Sequence, residues 1–185
     1  VVNPGVTYFN QNGTTFPIAE GVLLTSGVGN VAVGPNGQGG ESDPTGTVVL
    51  NDVDMDAIAA AGITNGVVLE FDFIATGNLL EFDYLFGSEE YPEFVNAGYN
   101  DVFGFFLSGT GISGPYSLGA ENLAVIPGTT TPITIDNVND GLNSAYYYDN
   151  VNGLTFGTAI EYDGTTIVMR ATADLICGET YHIKL

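Results

Sequence analysis

The residues best equipped for chemistry lie close together. Glu89, Glu90 and Glu93 fall within Phe86-Gly87-Ser88-Glu89-Glu90-Tyr91-Pro92-Glu93-Phe94, and Asn100-Asp101 follows shortly after. The first run ends one predicted strand and the Asn-Asp pair enters the next, Val102 to Leu107, so hard oxygen donors fall on neighbouring loops. Calcium takes roughly 6–8 such oxygens at about 2.3–2.6 Å, from carboxylates, amide and backbone carbonyls and water. Zinc or iron would want His or Cys, and neither is near. The pattern predicts a calcium (Ca2+) site built from Glu89, Glu90, Asn100 and Asp101, with Asp52, Asp54 and Glu93 as second choices. The competing reading is a set of loop acids that cap turns through their own backbone.

Other patterns fail on their own terms. Asp52-Val53-Asp54-Met55-Asp56 imitates the opening of an EF-hand loop, but Ala57 stands where Gly is needed and Ile63 where a bidentate Glu is needed. Its acids equally suit the N-terminus of a short helix. Gly27-Val28-Gly29-Asn30-Val31-Ala32 matches a dinucleotide fingerprint, yet Gly34-Pro35-Asn36-Gly37 forbids the helix that must follow. His182 is the single His, and no Gly-x-Ser-x-Gly elbow supplies it with a nucleophile. Adjacent Glu89 and Glu90 would point apart in an extended chain, which makes a hydrolase the least supported reading. Tyr146-Tyr147-Tyr148-Asp149 could stack a sugar ring, the basis of an alternative reading as a carbohydrate-binding module.

Charge narrows the partners. The chain has 185 residues, with 22 acidic against 2 basic ones and 1 His, a formal net charge of −20. Such a field repels phosphate backbones and anionic head groups, so no nucleic acid and no direct membrane insertion are expected. No apolar run reaches the ~18 residues of a transmembrane helix, and Val1-Val2-Asn3-Pro4-Gly5 does not read as an export signal. A lone Cys177 allows no internal disulfide; it is expected to be a buried thiol or half of a bridge to something outside the sequence. Acidic chains poor in Lys and rich in Gly, Asn, Thr and Tyr match secreted surface proteins that meet millimolar calcium.

The elements that must position these residues are strands. Period-2 alternation bounded by Gly, Asn, Asp and Pro predicts strands at 22–25, 47–50, 67–73, 80–86, 102–107, 123–126, 133–138, 145–148, 166–171 and 180–185. Gly77-Asn78 suits a two-residue turn, predicting a hairpin with Phe71 opposite Tyr84, Phe73 opposite Phe82 and Asp72 opposite Asp83. One face of it is aromatic; the other sets carboxylate against carboxylate, which needs water or a cation between them. Only residues 54–61 read as helix, with Gly62 as the stop, and 27–46 reads as a long Gly-rich loop. The expected fold is all-β: one antiparallel β-sandwich, jelly-roll-like, over 1–185.

Several segments together resemble the choice-of-anchor L domain family. They are Phe86 to Phe94, Asn100 to Gly109, Asn122 to Thr129, Leu142 to Tyr147, Ile176 to Leu185, Gly21 to Gly27 and Leu69 to Phe73. The resemblance implies a non-enzymatic extracellular module of bacterial surface and secreted proteins, many exported by the type IX route, with adhesion as the suspected role. In that family the domain extends further at both ends. The expected partners are therefore other surface-protein domains or neighbouring copies, joined by strand addition beside Thr180 to Leu185 into a filament, with glycans as the alternative.

Overall fold

The computed structural model describes residues 5–37, 39–41, 51–60 and 62–185. Its strands are β1 (Val6–Asn10), β2 (Glu20–Leu24), β3 (Glu70–Ile74), β4 (Leu79–Tyr84), β5 (Gly87–Ser88), β6 (Phe106–Gly109), β7 (Glu121–Asn122), β8 (Tyr147–Asp149), β9 (Gly164–Thr166), β10 (Met169–Asp174) and β11 (Thr180–Lys184), with one helix, α1 (Val53–Ala59). Every strand pairing is antiparallel, in open sheets ordered β1-β2, β4-β10, β3-β11-β6-β7 and β5-β9-β8. The fold is mostly β with one short helix, and none of these sheets closes into a barrel. The predicted strand at 47–50 lies outside the described residues.

The predicted hairpin does not form. β3 pairs with β11, setting Asp72 opposite His182, and β4 pairs with β10, setting Asp83 opposite Arg170. The alternation was read correctly but the partners are distant ones. A local hairpin would have opposed like charges, whereas the distant pairing places each acid beside a base. The aromatic face survives: Tyr84, Met169 and Ala171 from β4 and β10 share one core with Leu107, Tyr181 and Ile183 from β6 and β11. Phe82 meets Phe105 edge-on at 3.9 Å and Phe73 stacks on Tyr181 at 5.8 Å. Each fully buried side chain of this size contributes roughly 1.5–3 kcal/mol.

Two further expectations are corrected. β11 is no open edge, since β3 flanks it on one side and β6 on the other. The segments 102–107 and 133–138 are largely irregular, joined by the single bridge Val102–Thr134, with Phe103 N donating to Ile133 O. Helix α1 starts as expected: the Asp52 carboxylate accepts from the N–H groups of Asp54 and Met55. It ends at Ala60 in the left-handed region rather than at Gly62.

Candidate functional site

The chain's three basic side chains all stand on β10 and β11, and each is committed to carboxylates. Arg170 holds Asp83 through two bonds (2.7 and 3.0 Å) with Glu81 nearby. His182 places Nδ1 2.8 Å from Asp72 and Nε2 2.8 Å from Glu70. Lys184 reaches Asp54 at 2.6 Å and Asp52 at 2.9 Å, over the Phe106 ring. Burial pushes the Asp54 carboxyl up, but hydrogen bonds from Lys184 and Ser117 hold it below its ordinary range. Asp52 and Asp54 thus belong to an ion-pair cluster that ties α1 to the main sheet.

A Ser108–His182–Asp72 row crosses three adjacent strands. It lacks a base for the serine, because Nε2, the nitrogen a triad needs free for the hydroxyl, faces Glu70 instead.

Several other carboxylates gather where no basic side chain forms an ion pair among the described residues. Because β5 pairs with β9 in the register Ser88–Gly164, the next residues along, Glu89 and Asp163, come face to face. Gly164 permits this: a Cβ there would sit 2.7 Å from the Tyr91 ring, which packs on Tyr147 at 4.9 Å. Residues 32–37 run beside 159–163, held by the Val33–Ile160 bridge and by Glu161 N donating to Ala32 O. They carry Asn36 inward, where its amide donates to Asp163 Oδ1 at 2.8 Å and to Asn150 O at 3.0 Å. Gly37 N donates to Glu161 Oε1 and Glu41 N to Glu89 Oε2, so the backbone at these two positions caps the acids. Glu161 and Asp163 are buried, and Asn150 beneath them is fully buried.

Glu89 Oε1 is buried with no hydrogen-bond partner. Burial, then the charges of Asp163 and Glu161, push the Glu89 carboxyl up to about 7 against the bond from Glu41 N. Burial likewise raises Asp163, with Glu93, Glu161 and Asp149 adding to it against the Asn36 bond. Glu93 Oε1 and Asp163 Oδ2 both approach Gly39.

A second group adjoins this centre through Glu93. Burial, then Asp101 and Glu93, raise Glu90. Asp101 Oδ2 accepts from Ser88 Oγ at 2.7 Å, and that Oγ accepts from Glu90 N. Asn100 is tied into the fold, its amide donating to Ala59 O and its oxygen accepting from Asp136 N. Of the sequence-predicted ligands, Glu89, Glu90, Asp101 and Glu93 fall in the two groups. Among the described residues no three His, Cys, Asp or Glu side chains are already drawn together tightly enough to hold a metal ion.

Glu161, Asp163 and Asn36 escaped the sequence reading. The signal for Glu161 and Asp163 is the short run Glu161-Tyr162-Asp163-Gly164, whose partner Asn36 is far away in the chain. In the tyrosine run Tyr146 and Tyr147 pack on the core and Tyr148 is exposed, edge-on to Phe156, with Asp149 beside it. Cys177 is free and exposed in the β10–β11 turn, which corrects the buried alternative because the turn leaves its side chain outside the core, and leaves the bridged alternative untested.

A family profile described as the choice-of-anchor L domain matches residues 2–185. No curated protein and no solved structure matches the chain.

Proposed function

The chain belongs to the choice-of-anchor L domain family of surface-protein modules, and from that premise we propose a non-enzymatic extracellular module of a bacterial adhesin or assembled surface structure. Its strands form a β-sandwich, and calcium completes the acidic centre around Glu89 and Asp163. The observation behind the calcium is Glu89 Oε1, buried without a partner in a chain whose every basic side chain is bound elsewhere. A desolvated carboxylate beside like charges either keeps a proton or takes a cation. At extracellular calcium concentrations the divalent ion displaces the proton, drawing on Glu89, Asp163, Glu93, nearby amide and backbone oxygens, and water. Glu90 and Asp101 are the adjoining donors.

The test is metal identification in purified protein, coupled to melting with and without chelator. Calcium at 100 times its dissociation constant adds about 2.7 kcal/mol, or roughly 5–10 °C in a domain of this size. An identical melting curve in excess chelator refutes calcium binding. A glycan array run under both conditions separates this reading from a carbohydrate-binding module at Tyr148 and Asp149.

A further inference from the structure

We propose that the open edge of β10 is a docking site for an extended, Lys- or Arg-bearing segment of another protein. The bond from Leu175 N to Asn78 O (2.9 Å) continues the β4–β10 ladder and sets its parity. In an antiparallel ladder, alternate residues turn their backbone groups toward the partner. Ala171 and Ala173 therefore face β4, while Thr172 and Asp174 turn N–H and C=O away from it. Those outward groups have no backbone partner among the described residues.

An open groove of about 330 Å³ at this end of β10 is lined by Leu79 of β4, Ile112, Glu121, Thr172, Ala173 and Asp174. Leu79 is 54% exposed there. The groove thus offers what strand addition uses: free backbone donors and acceptors, and a depression for alternate side chains.

Charge selects the occupant. Glu121 and Asp174 are exposed at the groove and form no ion pair among the described residues, and Arg170, His182 and Lys184 are engaged elsewhere. A second copy, at −20, would bring more negative charge to the same place. A cationic side chain on the added strand meets the carboxylates of the groove while an apolar neighbour packs toward Ile112. The inference extends the reading as a surface module and is independent of calcium.

The experiment selects a displayed library of short extended peptides, varied at alternate positions, on the whole purified chain with calcium constant. Selected peptides should be rich in Lys and Arg, and should slow amide exchange at Thr172 and Asp174. Thr172→Pro removes an N–H that β4 does not use, so it should weaken binding about tenfold with little change in melting. The pair Glu121→Gln and Asp174→Asn, which leaves the backbone alone, should weaken it by a similar factor. The proposal is overturned by a library that yields no binders, by binders without basic residues, or by binding that survives both sets of variants. A concentration-dependent dimer that Thr172→Pro dissolves would assign the edge to a second copy and also overturn it.

Discussion

Lys184 Nζ lies 2.6 Å from Asp54 Oδ2, joining β11 to the first turn of α1 across most of the sequence. Both side chains are largely sheltered, 15% and 5% exposed, and Asp52 completes the cluster. Removing the cation strands two carboxylates. Lys184→Met should cost about 3 kcal/mol, read as a lower urea midpoint at unchanged slope. Adding Asp52→Asn and Asp54→Asn should recover most of the loss, since Asn caps a helix as well as Asp does. A single variant as stable as the parent would show that the cluster does not stabilise the fold.

Metal-free protein should lose stability as pH rises through neutrality. Glu89 is held near 7 in the folded chain against about 4.5 unfolded, so its contribution is full below 4.5 and fades as pH climbs through 7. His182 acts in the same direction: the bond to Asp72, outweighing slight desolvation and joined by Glu70, lifts its imidazole above 6.5. That contribution is complete below 6.5 and lost above the folded value, and is small because the pair is open to solvent. Asp54 and Asp83 act oppositely, losing their contribution as pH falls below their ordinary range. Glu90, Asp101 and Asp163, also raised by burial, act in the same direction as Glu89, so urea midpoints between pH 5 and 8 should decline for the parent and decline less for Glu89→Gln.

The same Glu89→Gln variant should be more stable than the parent in chelator at pH 7.5 and nearly indifferent to calcium. An uncharged amide removes the repulsion from Asp163 and Glu161 together with the reason for binding a cation. Calcium titration by calorimetry reads both arms. Full calcium affinity in Glu89→Gln would move the site away from this centre.

Asn150 is fully buried, its amide donating to Tyr162 O and its oxygen accepting from Phe156 N and Thr155 N. Asn150→Ala leaves these groups unpartnered and should cost about 3 kcal/mol or more. The loss should be visible in thermal melting with and without calcium, since the amide supports the floor of the centre rather than the ion.

Cys177, being exposed, should react with a thiol reagent in native protein as completely as in urea, with no change in melting after labelling. Protection in the native state would require a cover over the β10–β11 turn.

Much of the local structure was legible in the sequence. Alternation located β3, β4 and β11 to within a few residues, and the acids at 52–56 announced the cap of α1. Pairing was not legible from neighbouring residues, because Gly77-Asn78 supports a hairpin while the strands that actually pair, with Arg170, Tyr181 and His182 on them, lie far along the chain. A search for bases to match the acids of β3 and β4 would have led to β10 and β11. The centre was half visible: Glu89 sat in a dense acidic run, while Glu161 and Asp163 lie in an irregular stretch with no period to place them.

The placement of the three bases also sets an order of events. Residues 1–169 contain no Lys, Arg or His, so that segment carries side-chain charge of one sign only. β3 and β4 cannot pair until β11 and β10 arrive, and their long-range contacts make folding slow. Like charge along residues 1–169 opposes compaction of that segment by itself. The same two strands, β10 and β11, thus supply β4 and β3 with both their backbone partners and their counter-charges.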